Sequence, residues 1–197
     1  MIIYAPVDAI RAHQLTKGRQ DVRYYLNALH FKGDEIQTSN GHVALSTRHA
    51  ITQAPEDGLI LNISVPPTGR GYSTAVIDTE AGIVYWCAQM GDKPKDFEHL
   101  GEGWYKTLRL AVGTVDIVDA RYPDLGRVIE SARSNSKAVT EIKVMPEYLG
   151  LIEKLGKKFG VKMPFVDLHF AGKNMPIRVE FKTPFGPSTM IIMPAKD

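Results

Sequence analysis

Two segments of the chain have apolar residues at the spacing of an amphipathic helix, and each begins with a proline. The pattern predicts helices over residues 6 to about 16 and 146 to about 159. A proline at the first helical position costs no hydrogen bond, so Pro6 and Pro146 are suitable starts. In the second helix charged side chains lie outside, and the apolar stripe consists of Tyr148, Leu151, Ile152, Leu155 and Phe159.

Most of the remaining pattern is typical of short β-strands bounded by turn residues. It predicts strands over residues 22–31, 35–39, 42–47, 59–65, 74–77, 83–88, 138–144, 165–170, 177–181 and 189–193. Between the second and third of these, Asn40 and Gly41 predict a tight hairpin turn, because both residues tolerate positive φ.

Both ends of the chain have the same order of elements: a strand, a proline-initiated helix and three short strands. We therefore predict an α+β fold in which antiparallel sheets carry two main helices on one face. The repeat divides a single domain, residues 1–197, into a first half of about 1–65, an insertion of about 66–113 and a second half of about 114–197. Residues 90–103 are the most loop-like part of the insertion.

The composition is that of an ordinary globular domain, with 44% hydrophobic and 23% charged residues among 197. The net charge of +2 argues against a dedicated basic nucleic-acid module but leaves room for a local basic face. The single cysteine, Cys87, cannot form an intrachain disulfide, and we interpret it as a reduced packing residue. No apolar run is long enough to span a membrane and no basic signal-peptide start is present, so we expect a cytoplasmic location.

Signatures of catalysis are missing from the sequence. The glycines around residues 150–158 do not have the spacing of a phosphate-binding loop, and Lys158 stands where a Ser or Thr would bind magnesium. The six histidines do not form the paired pattern of helical zinc sites, and there is no nucleophile elbow. We therefore expect no catalytic residues, no metal and no cofactor. An enzyme that uses the insertion stays open as an alternative, although no constellation of residues supports it.

Three separated segments carry a resemblance to a known family. Residues 20–27, Gln-Asp-Val-Arg-Tyr-Tyr-Leu-Asn, followed by Ser-Asn-Gly-His at 39–42, resemble the middle domain of the bacterial sliding clamp, the β subunit of DNA polymerase III. Residues 118–129, Val-Asp-Ala-Arg-Tyr-Pro-Asp-Leu-Gly-Arg-Val-Ile, are similar to the segment that joins the second and third clamp domains. Residues 145–149 and 191–196 resemble the last clamp helix and its Met-Pro tail. The three segments follow one another in the same order as in the clamp. The chain therefore resembles a shortened clamp, of a phage or prophage type.

This resemblance implies a DNA-clamp-like fold and an apolar groove that takes short hydrophobic peptides from polymerases, the clamp loader and repair proteins. The residues that match the family's groove are Leu26, Ser39, Gly41, His42, Val43, Pro123, Arg127, Val128, Ile191, Ile192, Met193 and Pro194. The chain departs from the family pattern at Asn40 (aspartate in the family), Val43 (arginine) and Ala195 (methionine), which puts peptide recognition at these positions in question.

The function that the resemblance implies is that of a non-enzymatic, clamp-like protein of DNA replication, a processivity-type platform for polymerase or clamp-loader peptides. Clamp rings line their channel with helices, so the residues expected to face double-stranded DNA, without sequence preference, are Arg11, Lys17, Arg19, Lys154, Lys157 and Lys158. Family rings contain six domains, so a chain with one clamp-type domain would need to form a homo-oligomer to encircle DNA. The alternative is a decoy or regulator that keeps the groove, does not encircle DNA and competes for the same peptides.

Overall fold

The computed structural model describes residues 1–51, 54–69, 71–88, 103–134, 138–161 and 165–195. Its helices are α1 (Val7–His13), α2 (Trp104–Leu108), α3 (Leu125–Ser134) and α4 (Pro146–Lys158), with a 3₁₀ helix at Tyr24–Asn27. Its strands are β1 (Ile2–Pro6), β2 (Leu29–Lys32), β3 (Glu35–Ser39), β4 (Val43–Thr47), β5 (Leu59–Ile63), β6 (Thr74–Asp78), β7 (Ile83–Cys87), β8 (Arg109–Ile117), β9 (Asp167–Phe170), β10 (Ile177–Thr183) and β11 (Gly186–Ile192). The predicted loop at 90–103 lies, apart from Gly103, outside the described residues.

All eleven strands join one sheet in the order β1-β6-β7-β8-β5-β2-β3-β4-β11-β10-β9, and every neighbouring pair is antiparallel. The predicted α+β class with antiparallel sheets is confirmed. The sheet continues through both ends of the chain and through the segment between them, because β6, β7 and most of β8 lie within residues 66–113. The division into two halves and an insertion stays a prediction.

Helices α1 and α4 pack against each other on one face of the sheet, as predicted, and enclose the main core with it. The opposite face carries two smaller apolar clusters, one beneath α3 and one beneath α2. Side chains of successive strand residues point to opposite faces. On β4, accordingly, Val43 belongs to the main core and Ala44 to the cluster beneath α3.

Both predicted helices form. Helix α1 begins directly after Pro6, and α4 has Pro146 in its first turn. Sequence reasoning missed α3, which occupies residues interpreted as a linker. The Asp124 side chain caps this helix, because its Oδ1 accepts a hydrogen bond of 3.0 Å from the Arg127 main-chain N–H.

Two predicted strands differ from the structure. Residues 22–31 begin with the 3₁₀ helix and become strand only at Leu29. The Asn27 side chain bonds the main chain of Asp21 twice, at 3.0 Å each, and such local bonds compete with a strand ladder. Residues 138–144 form no strand, so the second half lacks the opening strand of the predicted repeat. Here the Lys143 carbonyl accepts one bond, of 2.8 Å, from the Ala195 N–H.

Candidate peptide-binding surface

The turn between β3 and β4 is held by side chains on its own strands. Asn40 Oδ1 accepts hydrogen bonds from the main-chain N–H groups of His42, at 2.9 Å, and of Val43, at 2.8 Å. The Ser39 hydroxyl accepts from the Gly41 N–H at 3.0 Å and donates to the Val43 carbonyl at 2.9 Å. Of the two residues predicted to tolerate positive φ, Gly41 uses this freedom, with φ of +87°. These four hydrogen bonds fix the turn, and the buried Ser39 hydroxyl connects its two strands.

The end of the chain lies against this turn. Strand β11 pairs with β4, and the Met193 N–H continues the ladder with a 2.9 Å bond to the His42 carbonyl. The His42 ring stacks on Tyr148 of α4, with 6.2 Å between ring centroids. Met193 is 38% exposed and Pro194 is half-buried. Two segments about 150 residues apart in the sequence thus form one edge of a surface.

An apolar floor lies on the α3 side of the sheet. It combines Leu26 from the 3₁₀ helix, Ile191 from β11 and Val128 from α3, all in one hydrophobic cluster. Sequence reasoning missed Ala44, the direct cross-strand neighbour of Ile191 in the same cluster. The alternation of β4 was the signal that could have found it, since Ala44 lies one residue beyond Val43 and faces the other way.

Two of the predicted groove residues lie on the other face. Val43 and Ile192 are cross-strand partners, 1% and 0% exposed, inside the main core beneath the helices. Their side chains face α1 and α4, on the opposite side of the sheet from Leu26 and Ile191, and so do not belong to the same surface. The arginine expected by family resemblance at position 43 is thus replaced by a core residue.

The remaining predicted residues form the polar rim. Pro123 and Arg127 are exposed at the start of α3. A further basic residue, Arg23, lies beside Gly41, and its guanidinium bonds both carboxylate oxygens of Asp21, at 3.0 and 2.8 Å. These hydrogen bonds lower the pKa of Asp21 to about 2, so the pair stays ionised at neutral pH.

Two clefts open beside α3. Neither is lined by the floor residues themselves, but the larger is lined by Ile60, Tyr122, Leu125 and Ile129 of the same hydrophobic cluster. The larger, of about 1430 Å³, is lined by the 117–126 segment and by β2, β3 and β5; Pro123 is the one predicted groove residue among its lining residues. The smaller, of about 530 Å³, lies between the C-terminal end of α3 and strands β10 and β11. Ile129 and Arg133 border both.

The six basic residues expected to face DNA differ in exposure and in their hydrogen-bond and ion-pair partners. Arg19, Lys154, Lys157 and Lys158 are exposed, and Lys157 also pairs with Glu153 at 2.5 Å. Burial, and then the charge of Arg19, lowers the pKa of Lys17. The Arg11 guanidinium is occupied by Asp8, at 2.8 Å, and by two main-chain carbonyls, one of them Gly69 at 2.9 Å.

Neither a metal-binding group nor a membrane-spanning helix is found in the described part of the chain. There, no three His, Cys, Asp or Glu side chains are grouped so as to hold a metal ion. No described helix is both long and apolar enough to cross a bilayer.

The fold is that of bacterial sliding clamps. The whole chain aligns with the DNA polymerase sliding clamp of Bacillus subtilis at a TM-score of 0.56 and 12% identity, covering 64% of that chain. For the DNA polymerase III β subunit of Thermotoga maritima the TM-score is 0.56 at 14% identity and 66% coverage. For the DNA polymerase III β subunit of Borrelia burgdorferi, in complex with a natural product, the TM-score is 0.57 at 11% identity, and the alignment covers 64% of that chain. The chain thus spans about two thirds of these clamps, and the clamp-like fold implied by the resemblance is confirmed. No protein-family model and no curated protein sequence matches this chain.

Proposed function

We propose that this chain is a clamp-like protein of DNA replication that binds short hydrophobic peptides of polymerase or clamp-loader partners. The observation that carries the proposal is the meeting of four distant segments on one surface of a clamp fold. The buried residues Leu26, Ala44 and Ile191 and the half-buried Val128 form its apolar floor, and the turn of His42 with the tail at Met193 forms its edge.

A peptide would bind here mainly through apolar anchors. A Leu or Phe side chain of the peptide that packs on the half-buried Val128 and the exposed Met193 leaves water, worth about 1.5–3 kcal/mol per anchor. Arg127 and the Arg23–Asp21 pair at the rim provide charged groups for the polar part of the peptide. This arrangement of apolar floor and polar rim is typical of peptide-binding grooves.

The same proposal includes a face for double-stranded DNA on α4 and the loop after α1. Lys154, Lys158 and Arg19 are exposed and able to neutralise phosphates without reading bases. We leave Arg11 out of this surface, because its donors already bind carbonyls and Asp8.

Peptide binding is tested by fluorescence anisotropy with a labelled polymerase-type clamp-binding peptide. The wild type should bind in the micromolar range, and Met193→Glu should remove binding because it places a charge against the apolar anchor. Met193 is partly exposed, so the variant should stay folded by circular dichroism. Leu110→Glu, at a 56% exposed position on β8, is the matched control and should bind like the wild type. No binding by the wild type at tens of micromolar, or unchanged binding by folded Met193→Glu, would refute the groove.

A further inference from the structure

His30 on β2 lies in the wall of the larger cleft and is only 8% exposed. Its ring stacks on Tyr122, with 4.6 Å between ring centroids, and its Nδ1 lies 3.0 Å from Gln37 Oε1. Its other ring nitrogen, Nε2, has no hydrogen-bond partner among the described residues. Nε2 faces Gly58, another lining residue, where the Cβ of any larger residue would overlap it. A nearly buried polar atom therefore opens into the cleft without a partner.

A chain of hydrogen bonds fixes which ring nitrogen of His30 carries the proton. Arg48 pairs with Glu35 at 2.7 Å, and the Gln37 amide N–H donates to the same carboxylate at 2.8 Å. Because an ionised carboxylate only accepts, the Gln37 oxygen must face His30, and the proton must lie on Nδ1. Burial is the main cause that lowers the pKa of His30, so the ring is neutral at pH 7. Nε2 is thus a hydrogen-bond acceptor directed at the cleft.

The larger cleft is acidic, although the whole chain has a net charge of +2. Seven of its described lining residues are Asp or Glu, and four are Lys or Arg. Three of these carboxylates, Glu56, Asp57 and Asp119, are exposed and have no ion-pair partner in the part of the chain that the structure describes. The volume of about 1430 Å³ exceeds the roughly 300–1,000 Å³ of small-molecule sites. The cleft is therefore suited to a stretch of polypeptide that carries positive charge.

We propose that the larger cleft binds a basic peptide segment of a partner protein, with a Lys or Arg side chain donating a hydrogen bond to His30 Nε2. Lysine ammonium and arginine guanidinium groups are donors only, which matches a site of carboxylates and one unprotonated nitrogen. The free carboxylates of Glu56, Asp57 and Asp119 balance further positive charges of the segment. The site needs no apolar anchor, so it holds or fails separately from the groove.

Fluorescence anisotropy at low salt tests binding, with a labelled peptide of alternating Lys and Gly residues. The wild type should bind it at tens of micromolar, and should not bind a peptide of alternating Glu and Gly residues. Glu56→Gln should weaken binding several-fold, because a charge that faces the peptide is removed. His30→Leu should weaken it at least about tenfold, because the cation loses its acceptor. Glu141→Gln, at an exposed position that lines neither cleft, is the matched control and should bind like the wild type.

Nitrogen-15 NMR of the histidine side chains tests the contact in the wild type, independently of how His30→Leu folds. The spectrum should show the His30 proton on Nδ1, and the Nε2 resonance should move upfield when the Lys–Gly peptide is added. The resonances of His13, which is buried at α1, should not move. The proposal is overturned by a wild type that does not bind at hundreds of micromolar, by a folded Glu56→Gln that binds as tightly as Glu141→Gln, by a proton on Nε2, or by an Nε2 resonance that stays unchanged in the bound state.

Discussion

The Met193 main-chain N–H donates a 2.9 Å hydrogen bond to the His42 carbonyl and so fastens the end of the chain to the turn between β3 and β4. This bond extends the β4–β11 ladder by one step beyond its last paired residues, Val43 and Ile192. The exposed Met193 is thereby held next to the turn. The shape of the proposed groove depends on the geometry of the turn.

Asn40→Ala should weaken peptide binding without touching the groove floor. The Asn40 side chain accepts from the N–H groups of His42 and Val43, and losing both bonds should lower the free energy of unfolding by about 1–2 kcal/mol. Peptide affinity should fall as His42 loses its fixed position. Asn40→Asp keeps the acceptor and should behave like the wild type in anisotropy and urea denaturation. Equal binding by a folded Asn40→Ala protein would show that the turn does not shape the groove.

His13 should make the stability of the protein fall in mild acid. Burial lowers the pKa of His13 to about 3, and its ring nitrogens lie 2.8 and 3.0 Å from the hydroxyls of Thr38 and Thr47. The folded state holds the neutral ring, whereas the unfolded chain takes up a proton near pH 6.5. The contribution of the neutral His13 ring to the free energy of unfolding is therefore complete above pH 6.5. It is lost as the pH falls toward 3, by about 1.4 kcal/mol per pH unit.

Urea denaturation between pH 7 and 5 measures this dependence. The wild type should lose about 2 kcal/mol from this group over the interval. His13→Gln should be less stable at pH 7, because the buried bonds are disturbed, but its unfolding free energy should depend less on pH. A parallel pH dependence in both proteins would rule out His13 as the cause.

Two glycine-to-alanine changes should have opposite effects on stability. Gly186 opens β11 with φ of +150°, and a Cβ there would overlap the Arg48 carbonyl oxygen. Gly186→Ala should destabilise by about 2 kcal/mol or more. Gly150 lies inside α4 with no atom within 4 Å of an added Cβ, so Gly150→Ala should stabilise by about 0.5–1 kcal/mol. Thermal denaturation compares the two, and a stabilised Gly186→Ala would contradict the observed packing of the hairpin.

Charge reversal on α4 should weaken any binding to double-stranded DNA. Lys154→Glu and Lys158→Glu each place a negative charge on the proposed surface. Affinity at low salt should fall, and the slope of log K against log salt should decrease by about 0.9 for each phosphate that the variant no longer neutralises. Lys182→Glu is the control: this exposed lysine of β10 shares the α3 face with Glu180 and should have no effect. If all three variants bound DNA alike in electrophoretic mobility shifts, α4 would not be the DNA-facing helix.

Local pattern alone was sufficient for the two proline-initiated helices and most of the strands. Helical spacing and strand alternation report which side of an element is buried, and both are visible in short stretches of sequence. They missed α2 and β8 and predicted a strand over residues 138–144 that does not form. Two further failures occur where side chains bond the nearby main chain. Asn27 and Asp21 hold residues 24–27 in a 3₁₀ helix, and Asp124 caps a helix in a segment interpreted as a linker.

The candidate groove was predictable as a set of segments but not as a surface. The resemblance named Leu26, Val128 and Ile192 together, but side chains one residue apart on a strand face opposite ways. Which of Ile191 and Ile192 faces α3 is decided by the pairing of β11 with β4, which joins strands some 150 residues apart. The same pairing adds Ala44 to the floor and removes Val43 from it. The sequence by itself determined the two proline-initiated helices and most of the strands; only the tertiary register decided which side chains share a face, because that depends on which distant strands hydrogen-bond together.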